Sequence, residues 1–452
     1  MAAILGSLSG EVTELLQQLI RNACVNDGTV ASGHEERSAD LLRSYFDGTG
    51  LDVESYQPRP GRTSLVARIE GRDPAAPTVC LMGHTDVVPV TPEHWTRDPF
   101  GGELVDGEVW GRGALDMLNL TASMAVATRH LAEDGFRPDG TLVYLAVADE
   151  ESGGRHGAGW LAEHAWDAIK ADYVLTESGG ILTPTPTGPK VTVTVAEKGV
   201  AWRRLQVQGT PAHGSMPFGS DNAIVTAAEV VRRLARFRPG AQIGPMWRIY
   251  VENNVFDPEL RAALLDPERV WAACSAHAEP GNAKFWHACT HTTFSPNVVA
   301  GGVKTNVIPD VVDLDVDIRT LPGQTKEDVD RYLEEALGDL AGRVEVTSLQ
   351  DVVSTSSPTD TPMWSVLEHL AGAAHPGATL LPRMTAGGTD AGYFRQRGSV
   401  VYGCGLMSPT MTYERFANRF HGNDERIDVE SLRLTTDLWL GVAHQFLAQS
   451  PR

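Results

Sequence analysis

The apolar positions of this chain fall first into short, nearly continuous runs: TVCLMG (78–83), TLVYLAVA (141–148), DYVLT (172–176) and SVVYGC (399–404). Such runs suit strands buried on both faces, as in a parallel sheet. Between them, LNLTASMAVATRHLAED (118–134), GAGWLAEHAWDAIK (157–170) and VESLRLTTDLWLGVAHQFL (429–447) carry apolar residues at helical spacing. The last follows Asp428, which suits an N-cap. Leu15, Leu16, Leu19 and Ile20 give the N-terminal segment an amphipathic helical pattern. Strands alternating with helices predict an α/β domain with a mainly parallel sheet.

From about residue 190 the pattern changes. VTVTVAEKGVAWRRLQVQG (191–209) and DVVDLDVDIRT (310–320) alternate polar with apolar residues, which predicts strands with one wet face, and DNAIVTAAEVVRRLARF (221–237) between them reads as a helix. The expected organisation is one domain built from 1–195 and 351–452, interrupted by a smaller α+β domain over 196–350. The stretch STSSPTDTP (354–362) leads back to the α/β pattern, and 240–296, with Trp247, Trp271 and Trp286, reads as an added helical subdomain.

A length of 452 residues fits two or three domains, and 42% hydrophobic with 21% charged residues excludes a disordered or fibrous chain. The formal charge of −20 speaks against nucleic acid or an anionic membrane as partner. Without an export-like leader or an apolar run of spanning length, a soluble protein is expected. Five scattered cysteines with no Cys-x-x-Cys pair predict reduced thiols in a cytoplasmic protein.

Candidate chemistry gathers at the ends of the buried runs. The first ends at His84 and Asp86, the second at Asp149-Glu150-Glu151 and the third at Glu177. Ligands of open parallel sheets bind beyond the carboxyl ends of the strands, so these side chains can share one crevice. Asp116 in GRGALDMLN and His421 in RFHGNDERI can join them. Taken singly, His84 reads as a hydrogen-bonded strand-end histidine, Asp116 as a helix cap and Glu150-Glu151 as a solvated loop. Together, so many carboxylates repel one another unless cations lie among them. Two imidazoles with carboxylates suit zinc, or cobalt or manganese, better than calcium or magnesium.

The motifs GHTDVVP (83–89), WTRDPFGGELVDGEVWGRGALDM (95–117), ADEESGG (148–154), TES (176–178), AEKG (196–199), PAHGSMP (211–217), TNVIPD (305–310), DIR (317–319), AGGTDA (386–391) and HGNDE (421–425) run in order along the chain. In this the chain resembles the M20 metallopeptidases, a family that includes aminoacylases, deacylases and dipeptidases. The resemblance implies a zinc-peptidase-like catalytic domain with an inserted lid and dimerisation domain, two divalent ions, and a homodimer. By the same resemblance, His84 and Glu177 bind one ion, Glu151 and His421 the other, and Asp116 bridges them. Glu150 is implied as general base and Asp86 as the carboxylate that orients His84. His213 is implied as a donor to the oxyanion, and Asn306, Arg319, Gly388 and Thr389 as substrate contacts.

The implied substrate is a small molecule with a free carboxylate, a dipeptide or N-acyl amino acid. A deacylase of an N-succinyl or N-acetyl diamino acid is the alternative within the enzyme class, and a non-catalytic metal-binding homologue the alternative outside it. Without the resemblance, His213 reads as a helix cap and Arg319 as a strand cation balancing Asp313, Asp315 and Asp317. Two departures stand out: Leu118-Asn119 where members often have Lys-Gly, and Asp424-Glu425 where Asn-Glu is common. WHACTH (286–291) would present His287, Cys289 and His291 on one face if extended, but it lacks a fourth ligand and reads as packing.

Overall fold

The computed structural model describes residues 2–448. Its contacts divide the chain into two compact units, one of Met1–Val195, Ser357–Arg383 and Thr389–Arg452, the other of Ala196–Ser356 and Met384–Gly388.

At the heart of the larger unit, strands Leu142–Val147, Val79–His84, Tyr173–Thr176 and Val400–Gly403 lie side by side in that order, all parallel. These are the four apolar runs, and every residue of the first two strands is buried. Antiparallel strands flank them: Arg62–Ile69 and Asp52–Arg59 on one side, Gly188–Glu197 on the other. On one face Cys80, Met82, Val143, Leu145 and Val174 pack with Leu161, Ile169 and Phe394. Against the opposite face the helix Leu118–Glu133 comes so near that a Cβ on Gly83 would stand 2.4 Å from Thr121 Oγ1. That close approach lets Thr121 Oγ1 donate to the His84 carbonyl at 2.7 Å, fixing the end of the strand. Helix Val429–Val442 joins the same layer, with Trp439 Nε1 donating to Ser123 Oγ at 2.9 Å. Its N-cap is Asp428, whose carboxylate accepts from Ser431 N at 2.8 Å. The segment 157–170 forms two short helices, Ala158–His164 and Trp166–Ile169, because Ala165 leaves helical geometry at φ −139°.

The smaller unit holds a four-stranded antiparallel sheet in the order Thr293–Gly301, Val311–Thr320, Gly199–Gln208, Val344–Val352. Strict alternation in 311–320 buries Val312, Leu314, Val316 and Ile318 beneath helices Ala223–Arg236 and Lys326–Leu337. The aspartates between them stay on the other face, where Arg204 pairs with Asp315 at 2.7 Å.

Of the alternating run 191–209, only the part from 199 to 208 has a wet face. The run is divided at Lys198 into Gly188–Glu197 and Gly199–Gln208, and residues 191–197 are buried throughout. Threonine hydroxyls tolerate this burial because they are satisfied: Thr192 Oγ1 accepts from Ile181 N at 3.2 Å, and Thr194 Oγ1 donates to the Ser178 carbonyl.

Segment 240–296 contains helices Pro245–Glu252, Pro258–Leu264, Val270–Ala276 and Pro280–Thr290. Three of the four open with proline in the first turn, where a missing N–H costs nothing. WHACTH is therefore mostly helical rather than extended, and His287 and His291 stack at 4.6 Å with the Trp271 edge against both. Buried Lys198 caps this end of the helix, its Nζ donating to the Ala288 and His291 carbonyls at 2.8 and 2.7 Å. No helix among the described residues is long and apolar enough to cross a membrane.

Burial pushes the Lys198 amine down to about 7. Against an unfolded value of about 10.4, the unfolded chain then binds the extra proton between those limits, so stability rises with pH in that window. Relative to Lys198→Met, the wild type should gain on the order of 1 kcal/mol of unfolding free energy per pH unit from pH 7 to 9, read by denaturant titration.

Candidate metal centre

Four of the candidate side chains owe their place to strand direction. His84 closes its strand, Glu150 and Glu151 open the turn that follows Val147, and Glu177 follows Thr176. Because these strands are parallel, all three termini lie at one edge of the sheet. Asp116 comes from the loop entering helix 118–133, through a cis Asp116–Met117 peptide. His421, at φ 54°, comes from the loop before the short strand Arg426–Asp428.

These loops converge on Asp116. His84 Nε2 lies 3.1 Å from Asp116 Oδ1, and His421 Nε2 lies 2.8 Å from Asp116 Oδ2. His421 Nε2 is also 3.4 Å from Glu151 Oε1, and His84 Nε2 is 3.9 Å from Glu150 Oε2. Ligand atoms of His84, Asp116 and Glu177 all lie within 4.8 Å of one another, as do those of Asp116, Glu151 and His421, and of His84, Glu150 and Glu151. Asp116 thus offers one oxygen to each of two sets.

Desolvation, followed by the charge of Glu177, holds the Glu150 carboxyl well above the usual carboxylate range. Desolvation and neighbouring Asp116 do the same to Glu177. Burial opposes charge on His421, yet its contacts with Asp116 and Glu151 win and raise it to about 10. The same carboxylates favour the charged form of both imidazoles. Glu151 Oε1 is buried and accepts no hydrogen bond. A buried carboxylate oxygen whose nearest donor is His421 at 3.4 Å, two imidazoles and a carboxylate shared by two sets fit a pair of divalent cations.

The supporting residues refine the sequence reading. His84 Nδ1 bonds the main-chain oxygen of Asp86 at 2.9 Å, while the Asp86 carboxylate is 3.6 Å away. That carboxylate instead accepts the backbone N–H groups of Glu150 and Glu151, at 3.2 and 3.1 Å. Glu425, fully buried, accepts from the Leu115 and Asp116 amides at 2.6 and 3.1 Å and pairs with Arg112 at 2.6 Å. Asp424 Oδ1 accepts from Thr96 N at 2.8 Å, so the departure at that position is used to bind a neighbouring loop. Asn26, Arg62, Glu35, Arg112 and the use of Glu425 escaped sequence reasoning. Their signal is weak: each is a lone polar residue in a loop or strand end, where a solvated position is the ordinary expectation.

His213, Asn306, Arg319 and Gly388 belong to the smaller unit and Thr389 to the larger. His213 is exposed, and Ser215 N donates to its Nδ1 at 3.2 Å. Asn306 is exposed, its carbonyl accepting from Gly214 N at 2.8 Å. Arg319 pairs with Asp317 through Nε and Nη2 at 2.7 and 3.2 Å, the balancing role open to a strand cation. Gly388 is exposed, and Thr389 Oγ1 accepts from Ala391 N at 3.1 Å.

A parallel α/β sheet that brings two histidines and four carboxylates to its strand ends has the architecture of a metal-dependent hydrolase. Residues 80–445 match peptidase family M20/M25/M40, and the chain belongs to that family of amide hydrolases. It is 26% identical over 430 residues to the N-fatty-acyl-amino acid synthase/hydrolase PM20D1 of Xenopus tropicalis, covering 91% of this chain and 82% of the relative. To the succinyl-diaminopimelate desuccinylase of Cereibacter sphaeroides it is 27% identical over 421 residues, covering 92% and 94%. Its fold matches the M20 family metallo-carboxypeptidase Sso-CP2 from Sulfolobus solfataricus with a TM-score of 0.72 at 18% identity, over 95% of this chain and 98% of that one.

Breaking the buried Arg112–Glu425 pair leaves an uncompensated charge. Glu425→Ala should destabilise the protein by about 3–5 kcal/mol in urea unfolding and loosen the Asp116 loop. Doubling the loss with Arg112→Met should restore part of that stability, because no charge is then stranded.

Proposed function

We propose that this chain hydrolyses a linear amide next to a free carboxylate, as in an N-acyl amino acid or a dipeptide, using two divalent ions. The observation that carries this reading is the sharing of Asp116 between two donor sets with Glu150 beside them. His84 and Glu177 would hold one ion, Glu151 and His421 the other, and Asp116 would serve both. Zinc suits these donors best, with cobalt or manganese as substitutes. Bound together, such ions neutralise the carboxylates, polarise the amide carbonyl and acidify a water from about 15.7 toward 7.

The protein's own groups do the rest. As a carboxylate, Glu150 takes a proton from the attacking water and delivers it to the leaving nitrogen. Asp86 fixes the backbone of Glu150 and Glu151, and its main-chain oxygen orients His84. At His213 the Ser215 N–H occupies Nδ1, so the ring proton lies on Nε2 and that nitrogen is a donor for the oxyanion. Arg319, held in its plane by Asp317, presents a fork suited to the substrate carboxylate, with Asn306, Gly388 and Thr389 as further contacts.

Similarity to an N-fatty-acyl-amino acid hydrolase along 91% of the chain supports an N-acyl amino acid. Equal similarity to a desuccinylase supports the second reading, a deacylase of an N-succinyl diamino acid. A homodimer belongs to the same proposal. Strand 293–301 is an outer strand of the smaller unit's sheet and exposes Val298 and Val299, which suits pairing with a second copy. Five buried cysteines that form no disulfide among the described residues accord with a cytoplasmic site of action.

Glu150→Gln should lower turnover by roughly 10²–10⁴ while metal content stays near two per chain by elemental analysis. An unaltered rate would remove Glu150 as base. Chelation should abolish activity and zinc, cobalt or manganese should restore it. In a panel of dipeptides and N-acetyl, N-fatty-acyl and N-succinyl amino acids, turnover of succinyl-diaminopimelate alone would favour the second reading. Val299→Lys should shift the solution mass from dimer toward monomer in light scattering.

A further inference from the structure

The turn Glu150–Ser152 is a single 3-10 turn carrying both the proposed base and a metal-donor candidate. Left-handed residues bracket it, Asp149 at φ 70° and Gly153 at φ 89°. Within it the Gly153 N–H bonds back to the Glu150 carbonyl at 2.7 Å, but the N–H groups of Glu150 and Glu151 stand at its head and have no acceptor there. Asp86, 64 residues before Glu150, supplies that acceptor. What holds Asp86 therefore decides where the Glu150 carboxyl points.

Asn26 holds it. Its side chain is buried, and its Nδ2 donates to Asp86 Oδ2 at 2.8 Å. Its Oδ1 accepts from Ser152 Oγ at 2.7 Å, from Arg62 Nη2 at 3.0 Å and from Gly28 N at 3.1 Å. One amide thus grips the turn from both ends, through Asp86 at its head and Ser152 at its tail. Arg62 in turn pairs with Glu35 at 2.6 Å, and Glu35 Oε1 accepts from Asp149 N at 3.1 Å, so the residue before the turn belongs to the same network.

The residue type suits the place. Buried Arg62 faces two buried carboxylates, Glu35 and Asp149, and Asn26 stands between it and a third, Asp86. A further anion at position 26 would add like charge 2.8 Å from Asp86 Oδ2, and an apolar side chain would leave that oxygen with the Glu151 N–H alone while stranding a hydroxyl and an N–H. A neutral group that donates on one side and accepts on the other meets every partner.

We infer that Asn26 is a positioning residue for the hydrolytic site: its amide fixes the Glu150–Ser152 turn through the Asp86 carboxylate and the Ser152 hydroxyl. The inference rests on the hydrolase reading, and no contact of Asn26 with substrate is required.

The test compares wild type with Asn26→Ala and the isosteric Asn26→Asp. Three properties are read: zinc affinity of the metal-free protein in competition with a chromophoric chelator, kcat and KM on N-acetyl-leucine, and the thermal unfolding midpoint. Folded variants should lose about 10–100-fold in kcat with little change in KM, and about as much in affinity for one of the two zinc ions, the one Glu151 serves. Folded variants with wild-type kcat and both zinc affinities intact would overturn the inference. So would failure of both variants to fold, which would make Asn26 part of the scaffold. Failure of the hydrolase reading would appear earlier, as wild-type protein that binds no zinc, and would remove this inference with it.

Discussion

Mutual repulsion among carboxylates is the constraint on which the rest of this structure depends. Asp116, Glu150, Glu151 and Glu177 are brought within reach of one another in surroundings where burial already penalises their charge. Two imidazoles answer part of that charge from opposite sides of Asp116. The remaining negative charge makes the site a strong receptor for cations, and the site's chemistry follows from that receptor property.

Such an arrangement has to be imposed, since nothing in the site favours it by itself. The parallel sheet imposes the first part by ending three buried strands at one edge, with Thr121 clamping the His84 carbonyl across the gap left by Gly83. Buried ion pairs impose the second. Arg112 with Glu425 holds the Asp116 loop by its backbone, and Arg62 with Glu35 stands behind the turn of Glu150. In both places a carboxylate grips main-chain N–H groups, so the active side chains stay free while the backbone beneath them is fixed. Pairs of this kind add little net stability, because desolvation offsets their attraction, but they define one geometry and make its loss costly.

The two units carry different residues of interest: the larger holds the metal-donor candidates and Glu150, the smaller His213, whose Nδ1 accepts from Ser215 N, and Arg319, paired with Asp317. Their sheets differ for a reason visible in composition. Runs such as YVLT and LVYLAV are apolar on both faces and need cover on both, whereas VVDLDVDIRT has aspartates on one face and helices only over the other.

The four central strands, the helix after Asp428, the helical texture of 240–296 and the polar residues at the strand ends were legible in the sequence, because burial and periodicity are local properties of a chain. The family motifs named His84, Asp116, Glu150, Glu151, Glu177 and His421 in the same way. Only the tertiary structure decided that VTVTVAE would be buried throughout, since satisfied threonine hydroxyls look like solvated ones until their partners are known. It alone joined Asn26 to Asp86, Arg62 to Glu35 and Arg112 to Glu425. The physical reason is common to these polar groups: a buried polar side chain is defined by a partner 11 to 313 residues distant, and the sequence around it carries no trace of that partner.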